Sequence, residues 1–214
     1  MVNKTSEDLE ETEPNEEEKE EVEFKVENVV ATATADIEGK LDLVNIARTI
    51  ADSEYNPERF PGIVVRIQKP RATFLIFSTG KMVITGLEKD SDAEKAVKKI
   101  TKKLKKAGID LSKPTIKIQN IVASGDLHTF IDLNMAAIMM ENIMFEPEIF
   151  PGLIYRMQDP RAVFLIFSTG KFVCTGVKDN ESIAAAVEKL NDSIIQEGFT
   201  VRPQAEDYEE ITFI

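Results

Sequence analysis

The chain contains one cysteine, Cys174, and one histidine, His128, among its 214 residues. Zinc sites are built from several Cys and His ligands, so no His/Cys metal cluster can form. One cysteine also rules out an internal disulfide and fits a reducing compartment. Cys174 falls in a strand pattern where a sister segment carries Ile84. It reads as buried filler, with a reactive thiol as the other reading. Neither a phosphate-cradling P-loop nor a nucleophile elbow is present. No enzyme activity and no cofactor are therefore expected. No apolar run approaches the roughly 20 residues of a membrane-crossing helix. The N-terminus lacks an apolar signal segment, so the expectation is a cytoplasmic protein with no membrane partner.

What the chain does have is one stretch written twice. FPGIVVRIQKPRATFLIFSTGKMVITG, residues 60–86, returns 90 positions later as FPGLIYRMQDPRAVFLIFSTGKFVCTG, with 19 of 27 positions identical. Such a repeat is a supersecondary block folded twice, and its copies should be related by a pseudo-twofold axis. A surface shown twice suits a ligand with quasi-twofold symmetry, of which duplex DNA is the commonest.

Positive charge is scarce overall, with 26 Lys and Arg against 38 Asp and Glu, a net of −12. Taken alone, that balance argues against nucleic acid. Its distribution changes the reading. Residues 1–27 carry 12 acidic and 3 basic groups, residues 28–118 carry 11 and 17, and residues 119–214 carry 15 and 6. Three of those last six bases, Arg156, Arg161 and Lys171, fall where the basic half has Arg66, Arg71 and Lys81. Cations persist at the duplicated sites even where the surroundings turned acidic.

The organisation predicted is an acidic disordered tail over 1–23, repeats over 24–114 and 115–202, and an acidic tail over 203–214. The first tail cannot bury enough apolar surface to order itself. It is either a solvated segment or an autoinhibitory DNA mimic. Each repeat reads as a strand (24–34, 115–124), a short helix (41–51, 131–141), a Pro-containing connection, three strands (63–68, 72–78, 81–85 and their copies) and a long helix. Pro and Gly in KPR, DPR and STGK mark hairpin turns. Ala93, Ala96, Val97, Ile100 and Leu104 follow the helical period, as do Ile183, Ala186, Val187, Leu190 and Ile194. Ser91 and Glu94 read as a capping box, and Gly108 and Gly198 as C-terminal caps. In the strand RATFLIFS both faces are apolar: Ala72, Phe74 and Ile76 on one, Thr73, Leu75 and Phe77 on the other. Two helices per repeat cover only one face, so a partner sheet or a ligand must cover the second.

The paired repeats, the QNIVAS strand, FEPEIFPGLIYRM, the PRA, LIFS and GK segments and the LDL before the short helix resemble the TATA-binding protein family in its archaeal form, over about residues 24–200. The resemblance implies an α+β saddle of two pseudo-symmetric repeats: a curved, ten-stranded antiparallel sheet with four helices on the convex face and DNA beneath. Minor-groove wedging by this family is a general example of bent-DNA binding. The implied function is a general transcription initiation factor that binds the TATA box in the minor groove. It would kink the DNA and recruit transcription factor B and the RNA polymerase pre-initiation complex in the archaeal nucleoid.

By that resemblance the DNA-facing floor is Val30, Thr73, Leu75, Val83 and Thr85, with Val122, Leu165, Val173 and Thr175; Val163 takes the place of Thr73. An apolar floor fits a groove that offers mostly acceptors on A·T pairs. Asn28 and Asn120 would donate to bases near the pseudo-dyad. Phe60 with Phe77, and Phe150 beside Pro151 with Phe167, would be the wedges, although each taken alone reads as core before wedge. Arg59, Arg66, Arg71, Lys81, Arg156, Arg161 and Lys171 are the phosphate candidates. Glu146, Glu148 and Ile149 would hold transcription factor B. The Lys-rich helix 95–106 is either a solvated face or a docking surface for regulators. Phe74 and Phe164 should face the helices. Asp159, in place of Lys69, weakens phosphate attraction in the second half. The competing reading is a protein-binding module or a homodimer without DNA that buries the second sheet face against another chain.

Overall fold

A computed structural model describes residues 22–201. The two acidic tails expected from the sequence lie outside the described residues, apart from Val22 and Glu23. In chain order the elements are β1 (Phe24–Thr34), α1 (Leu43–Thr49), β2 (Ser53–Glu54), β3 (Gly62–Ile67), β4 (Ala72–Phe77), β5 (Lys81–Leu87) and α2 (Asp92–Lys106). The second repeat follows with β6 (Thr115–Asp126), β7 (Phe130–Ile131), α3 (Leu133–Met139), β8 (Ile143–Met144), β9 (Leu153–Met157), β10 (Ala162–Ile166), β11 (Lys171–Val177), α4 (Asn180–Gln196) and β12 (Thr200–Val201).

Ten strands form one antiparallel sheet in the order β2-β3-β4-β5-β1-β6-β11-β10-β9-β8. The order reads the same from either end once β1 is matched with β6, as a pseudo-twofold axis at their junction requires. The register agrees: Asn28 pairs with Val122 while Val30 pairs with Asn120. All four helices bury residues in a single apolar cluster with one face of this sheet, giving the α+β saddle. Phe74 and Phe164 sit at the centre of that cluster, both 0% exposed. Phe164 stacks on Tyr155 and meets the edge of Phe172. Cys174 is also buried there, and burial pushes its thiol pKa up to about 12. It is filler, with no thiolate to react.

Four departures from the sequence reading have physical causes. The short helices are trimmed to seven residues each, because Asp42 and Asp132 take the N-cap and accept from the N–H groups of Asn45 and Met135. Two-residue edge strands, β2 and β8, flank the sheet; they are too short to carry a periodic pattern. The pair β7 and β12 forms a separate small ladder. The capping box at Ser91 does not form. Ser91 has helical dihedrals and its side chain makes no cap bond, while the Asp90 carboxylate accepts from the Ser91 N–H at 2.6 Å. The matching helix α4 is capped by Asp179, which accepts from the Ser182 N–H at 2.7 Å. At the other ends Gly108 and Gly198 donate to Lys105 and Ile195 as expected of C-terminal caps.

The Ser182 side chain and backbone N–H hold the Asp179 carboxyl below its ordinary value. Its contribution is therefore complete above the unfolded-state pKa and is lost as pH falls through the lower folded-state pKa. Asp179→Ala should cost about 1 kcal/mol at neutral pH, the usual worth of an N-cap. Asp179→Asn should keep the cap but flatten its acid dependence, and Ser91→Ala should leave stability unchanged. Chemical denaturation at pH 7 and pH 3 measures all three.

Candidate nucleic-acid interface

Strand β4 fixes the geometry of the site. Ala72, Phe74 and Ile76 are buried against the helices, while Thr73, Leu75 and Phe77 alternate onto the other face and are only half-buried. Cross-strand pairing lines them up with Val83 and Thr85 on β5 and with Val64 and Arg66 on β3. The second repeat reproduces the row: Val163 opposite Thr175 and Arg156, Leu165 opposite Val173 and Ile154. Val30 and Val122 complete the middle. Every floor residue expected from the sequence lies on this one uncovered face. Val64 and Ile154 belong to it as well and were missed; alternation along IVVRI and LIYRM could have found them.

The midline depends on bulges. Glu27 in β1 and Gln119 in β6 are each skipped by the ladder. Each bulge resets the alternation, so Phe24 and Val26 pack toward the core before it, and Val29 and Ala31 after it. A second pair of register shifts lies at Thr85–Gly86 and Thr175–Gly176. Both glycines have positive φ, 82° and 88°, which suits glycine at a bulge. The N–H groups released there are caught by the two asparagines: Asn28 Oδ1 accepts from Gly86 N–H at 2.8 Å and Asn120 Oδ1 from Gly176 N–H at 2.9 Å. The hydroxyls of Thr85 and Thr175 donate to the same oxygens at 3.3 Å. The carbonyl end of each amide is thereby pinned. Asn120 Nδ2 lies 3.0 Å from Thr175 Oγ1.

The bulges also bring polar residues onto the platform that strand periodicity could not show. Ser124 donates to the Glu27 carboxylate at 2.8 Å, and Gln119 donates to Thr32 at 2.8 Å, the matching contact across the pseudo-dyad. The Ser124 hydroxyl, then Lys25, holds the Glu27 carboxyl below its usual value. One half of the midline thus carries a fixed negative charge where the other carries a neutral amide.

At each end stands a pair of phenylalanines. Phe60 and Phe77 meet edge to face with centroids 5.6 Å apart, and Phe150 and Phe167 do the same at 5.9 Å. All four are half-buried, and Pro61 and Pro151 beside them are exposed. The glycine after each proline makes room: a Cβ on Gly62 or Gly152 would lie 2.8 Å from Cε1 of Phe60 or Phe150. Around these ends Arg59, Arg66, Arg71, Lys81, Arg156, Arg161 and Lys171 are all exposed. The two halves differ at two of them. Arg59 has Ile149 as its counterpart. Arg66 is ion-paired to Glu54 at 2.8 Å, whereas the second repeat has Met144 in place of that glutamate and Arg156 has no carboxylate partner among the described residues. Near the Phe150–Phe167 pair, Glu23, Phe24 and Lys25 share a cavity of about 910 Å³ with Pro151, Phe167 and Lys171. The start of the described residues therefore lies at the rim of the platform.

The Lys-rich helix lies on the opposite side. Lys99 Nζ donates to the carbonyls of Gln68 and Lys69, and Lys189 Nζ to that of Asp159 at 2.6 Å, so both long helices clamp the hairpin turns. Lys95, Lys98, Lys103 and Lys105 pair with nearby carboxylates. The loop residues Glu146, Glu148 and Ile149 are exposed at the outer end of the second repeat.

Asn28→Ala should cost about 0.5–1.5 kcal/mol, the net worth of a hydrogen bond, because it removes the acceptor for the exposed Gly86 N–H. Asn28→Asp keeps the acceptor and should cost clearly less. Urea unfolding of both variants checks this.

Comparison with known proteins agrees with the geometry. The sequence matches the family described as transcription factor TFIID (or TATA-binding protein, TBP) over residues 23–107 and 115–196. It is 49% identical over 176 residues to the TATA-box-binding protein of Pyrobaculum aerophilum, covering 82% of this chain and 87% of that one. It is 51% identical over 172 residues to the TATA-box-binding protein of Sulfurisphaera tokodaii, covering 80% and 86%. The solved structure titled Methanococcus jannaschii TBP matches with a TM-score of 0.74 at 44% identity, covering 81% of this chain and 99% of that one.

Proposed function

The chain belongs to the TATA-binding protein family, DNA-binding transcription factors and not enzymes, and from that premise we propose how its own residues do the work. The uncovered sheet face seats in the minor groove of an A·T-rich element, Phe60/Phe77 and Phe150/Phe167 wedge into the base steps at its two ends, and the bent complex recruits transcription factor B and RNA polymerase. The observation that carries this reading is the half-buried apolar face of the ten-stranded sheet, which no helix among the described residues covers.

An apolar floor gains by leaving water, and a widened groove offers the sugar and base edges to fill it. On A·T pairs that groove carries acceptors alone, whereas a G·C pair adds an amino donor. Val30, Leu75, Val83, Val122, Leu165 and Val173 have no acceptor to give that donor, so its burial would go unpaid in hydrogen bonds. Asn28 and Asn120, their carbonyls already bonded to the sheet, turn amide N–H groups toward base acceptors at the centre. Arg59, Arg66, Arg71, Lys81, Arg156, Arg161 and Lys171 neutralise phosphates, and Glu54 competes for Arg66. Unstacking costs roughly a few kcal/mol per wedged step and is offset by the contacts that bending permits.

The loop with Glu146, Glu148 and Ile149 holds transcription factor B. The first repeat has Asn56, Glu58 and Arg59 there, so the partner reads one end only and helps set the direction of a nearly symmetric saddle. Without DNA, the same apolar face is open to a second copy of the chain.

A gel-shift comparison of A·T-rich and G·C-rich duplexes should show preference for the first. Phe150→Ala combined with Phe167→Ala should weaken binding by at least about tenfold, or about 1.4 kcal/mol, and reduce the bend measured by energy transfer between end-labelled DNA ends. Equal binding to both duplexes would overturn the reading. Residues 1–21 hold 10 acidic and 2 basic groups and precede Glu23, which lies beside the Phe150–Phe167 pair. Their removal should tighten DNA binding more at low than at high salt, because salt screens exposed charge. Equal gains at both ionic strengths would rule out an electrostatic tail.

A further inference from the structure

The two repeats serve as controls for each other, and at one place they disagree sharply. Of the eight large apolar side chains left exposed among the described residues, seven belong to the second repeat. Three lie on α3: Met135 at 38% exposure, Ile138 at 85% and Met139 at 53%. Spaced i, i+3 and i+4, they occupy one helix face. The matching residues of α1 are Asn45, Arg48 and Thr49. There Asn45 Nδ2 donates to the Ala107 carbonyl at 3.4 Å and Thr49 Oγ1 to the Asn45 carbonyl at 2.8 Å. The first repeat thus builds the same helix with a polar face, so the fold does not require an apolar one.

Apolar side chains scattered singly on a surface are ordinary, but a clustered set marks an interaction site. Flexible methionines suit a surface that moulds itself to a partner. Charge identifies that partner. Residues 118–155 contain no Lys or Arg and five carboxylates, Asp126, Asp132, Glu141, Glu146 and Glu148. A phosphate backbone is repelled there. A second copy presenting the same patch would bring like charges together, as an isologous contact must. The occupant that fits is a protein surface apolar at its centre and basic at its rim. In chain order α3 leads into the edge strand β8, where Met144 is 50% exposed, and then to Ile149, 80% exposed beside Glu148.

We propose that the Met135, Ile138 and Met139 face of α3 extends the Glu146–Ile149 loop into one docking surface, taken by a basic-rimmed face of the transcription factor B that the proposed function seats on that loop. The inference rests on that function. It adds that the second repeat's outer helix, and not the loop alone, holds the partner.

The test exchanges the face for that of the first repeat, Met135→Asn, Ile138→Arg and Met139→Thr, in the full chain, with Ile138→Arg alone as a second variant. Purified transcription factor B is titrated onto the preformed complex with A·T-rich duplex. Duplex binding should stay within about twofold of the parent while partner affinity falls at least about tenfold, the loss expected from removing central anchors. Glu148→Arg serves as the loop variant. Unchanged partner affinity in both α3 variants, with a loss in Glu148→Arg, overturns the inference and leaves the proposed function standing. If the parent complex itself takes up no partner, recruitment fails and the inference with it. If the triple exchange lowers the melting temperature and removal of residues 202–214 reproduces that drop, the patch belongs to the chain's own C-terminal segment, which also overturns the inference.

Discussion

The structure depends on an imbalance of coverage: one sheet with two apolar faces, and helices enough for one. In an ordinary antiparallel sheet the solvated face alternates to polar residues. Here Leu75, Val83, Leu165 and Val173 keep it apolar, at a continuing cost in exposed apolar surface. Such a surface is also a liability for aggregation. It survives in a sheet whose two edge strands, Ser53–Glu54 and Ile143–Met144, are only two residues long, too short to template further pairing. The burden is placed on the face, where a ligand can relieve it, and kept off the edges.

Bulges turn this face into a site. A regular strand cannot send Val26 and Val29 to the same side, yet the core needs both. Skipping Glu27 and Gln119 solves the packing problem and puts Asn28 and Asn120 at the dyad. The same local irregularity in β5 and β11 releases the N–H groups of Gly86 and Gly176, which the asparagine carbonyls then satisfy. Core packing and ligand presentation are therefore settled by the same four backbone irregularities, and neither can be altered alone.

That coupling explains what the sequence made legible. The repeat, the hairpin strands and the alternation placing Thr73, Leu75 and Phe77 opposite Phe74 all follow from periodicity and turn chemistry, whereas the wedge role proposed for the phenylalanines beside proline rests on the family resemblance. Lys25, Glu27, Lys117 and Gln119 could not be placed, because a bulge breaks the period from which a face is assigned. The edge strands were too short to leave a pattern. Ser91 misled for a different reason: the SDAE spacing satisfies the capping-box motif, but Asp90 one residue earlier offers a competing carboxylate. The outer face of α3 was hidden by the very periodicity that revealed the helix, since LNMAAIM is apolar nearly all round and its pattern does not say which side is covered.

Duplication creates a problem that divergence must solve. Two identical halves would present the same wedges, asparagines and cations to either direction of a duplex, and no contact beneath the saddle would distinguish them by much. The differences beneath it are small: Glu27 against Gln119, Val163 against Thr73, Arg156 without the ion pair of Arg66. The large ones lie at the outer end, where Asn45, Arg48, Thr49 and Glu54 become Met135, Ile138, Met139 and Met144, and where Arg59, a phosphate candidate, becomes Ile149. On the proposed function, a floor that must fit a quasi-symmetric groove tolerates little asymmetry, because each substitution there would change the fit to DNA. The outer helix would carry no such constraint. Direction would then be encoded mainly at the outer end, by making one end of the molecule apolar and acidic and leaving the other polar and mixed in charge.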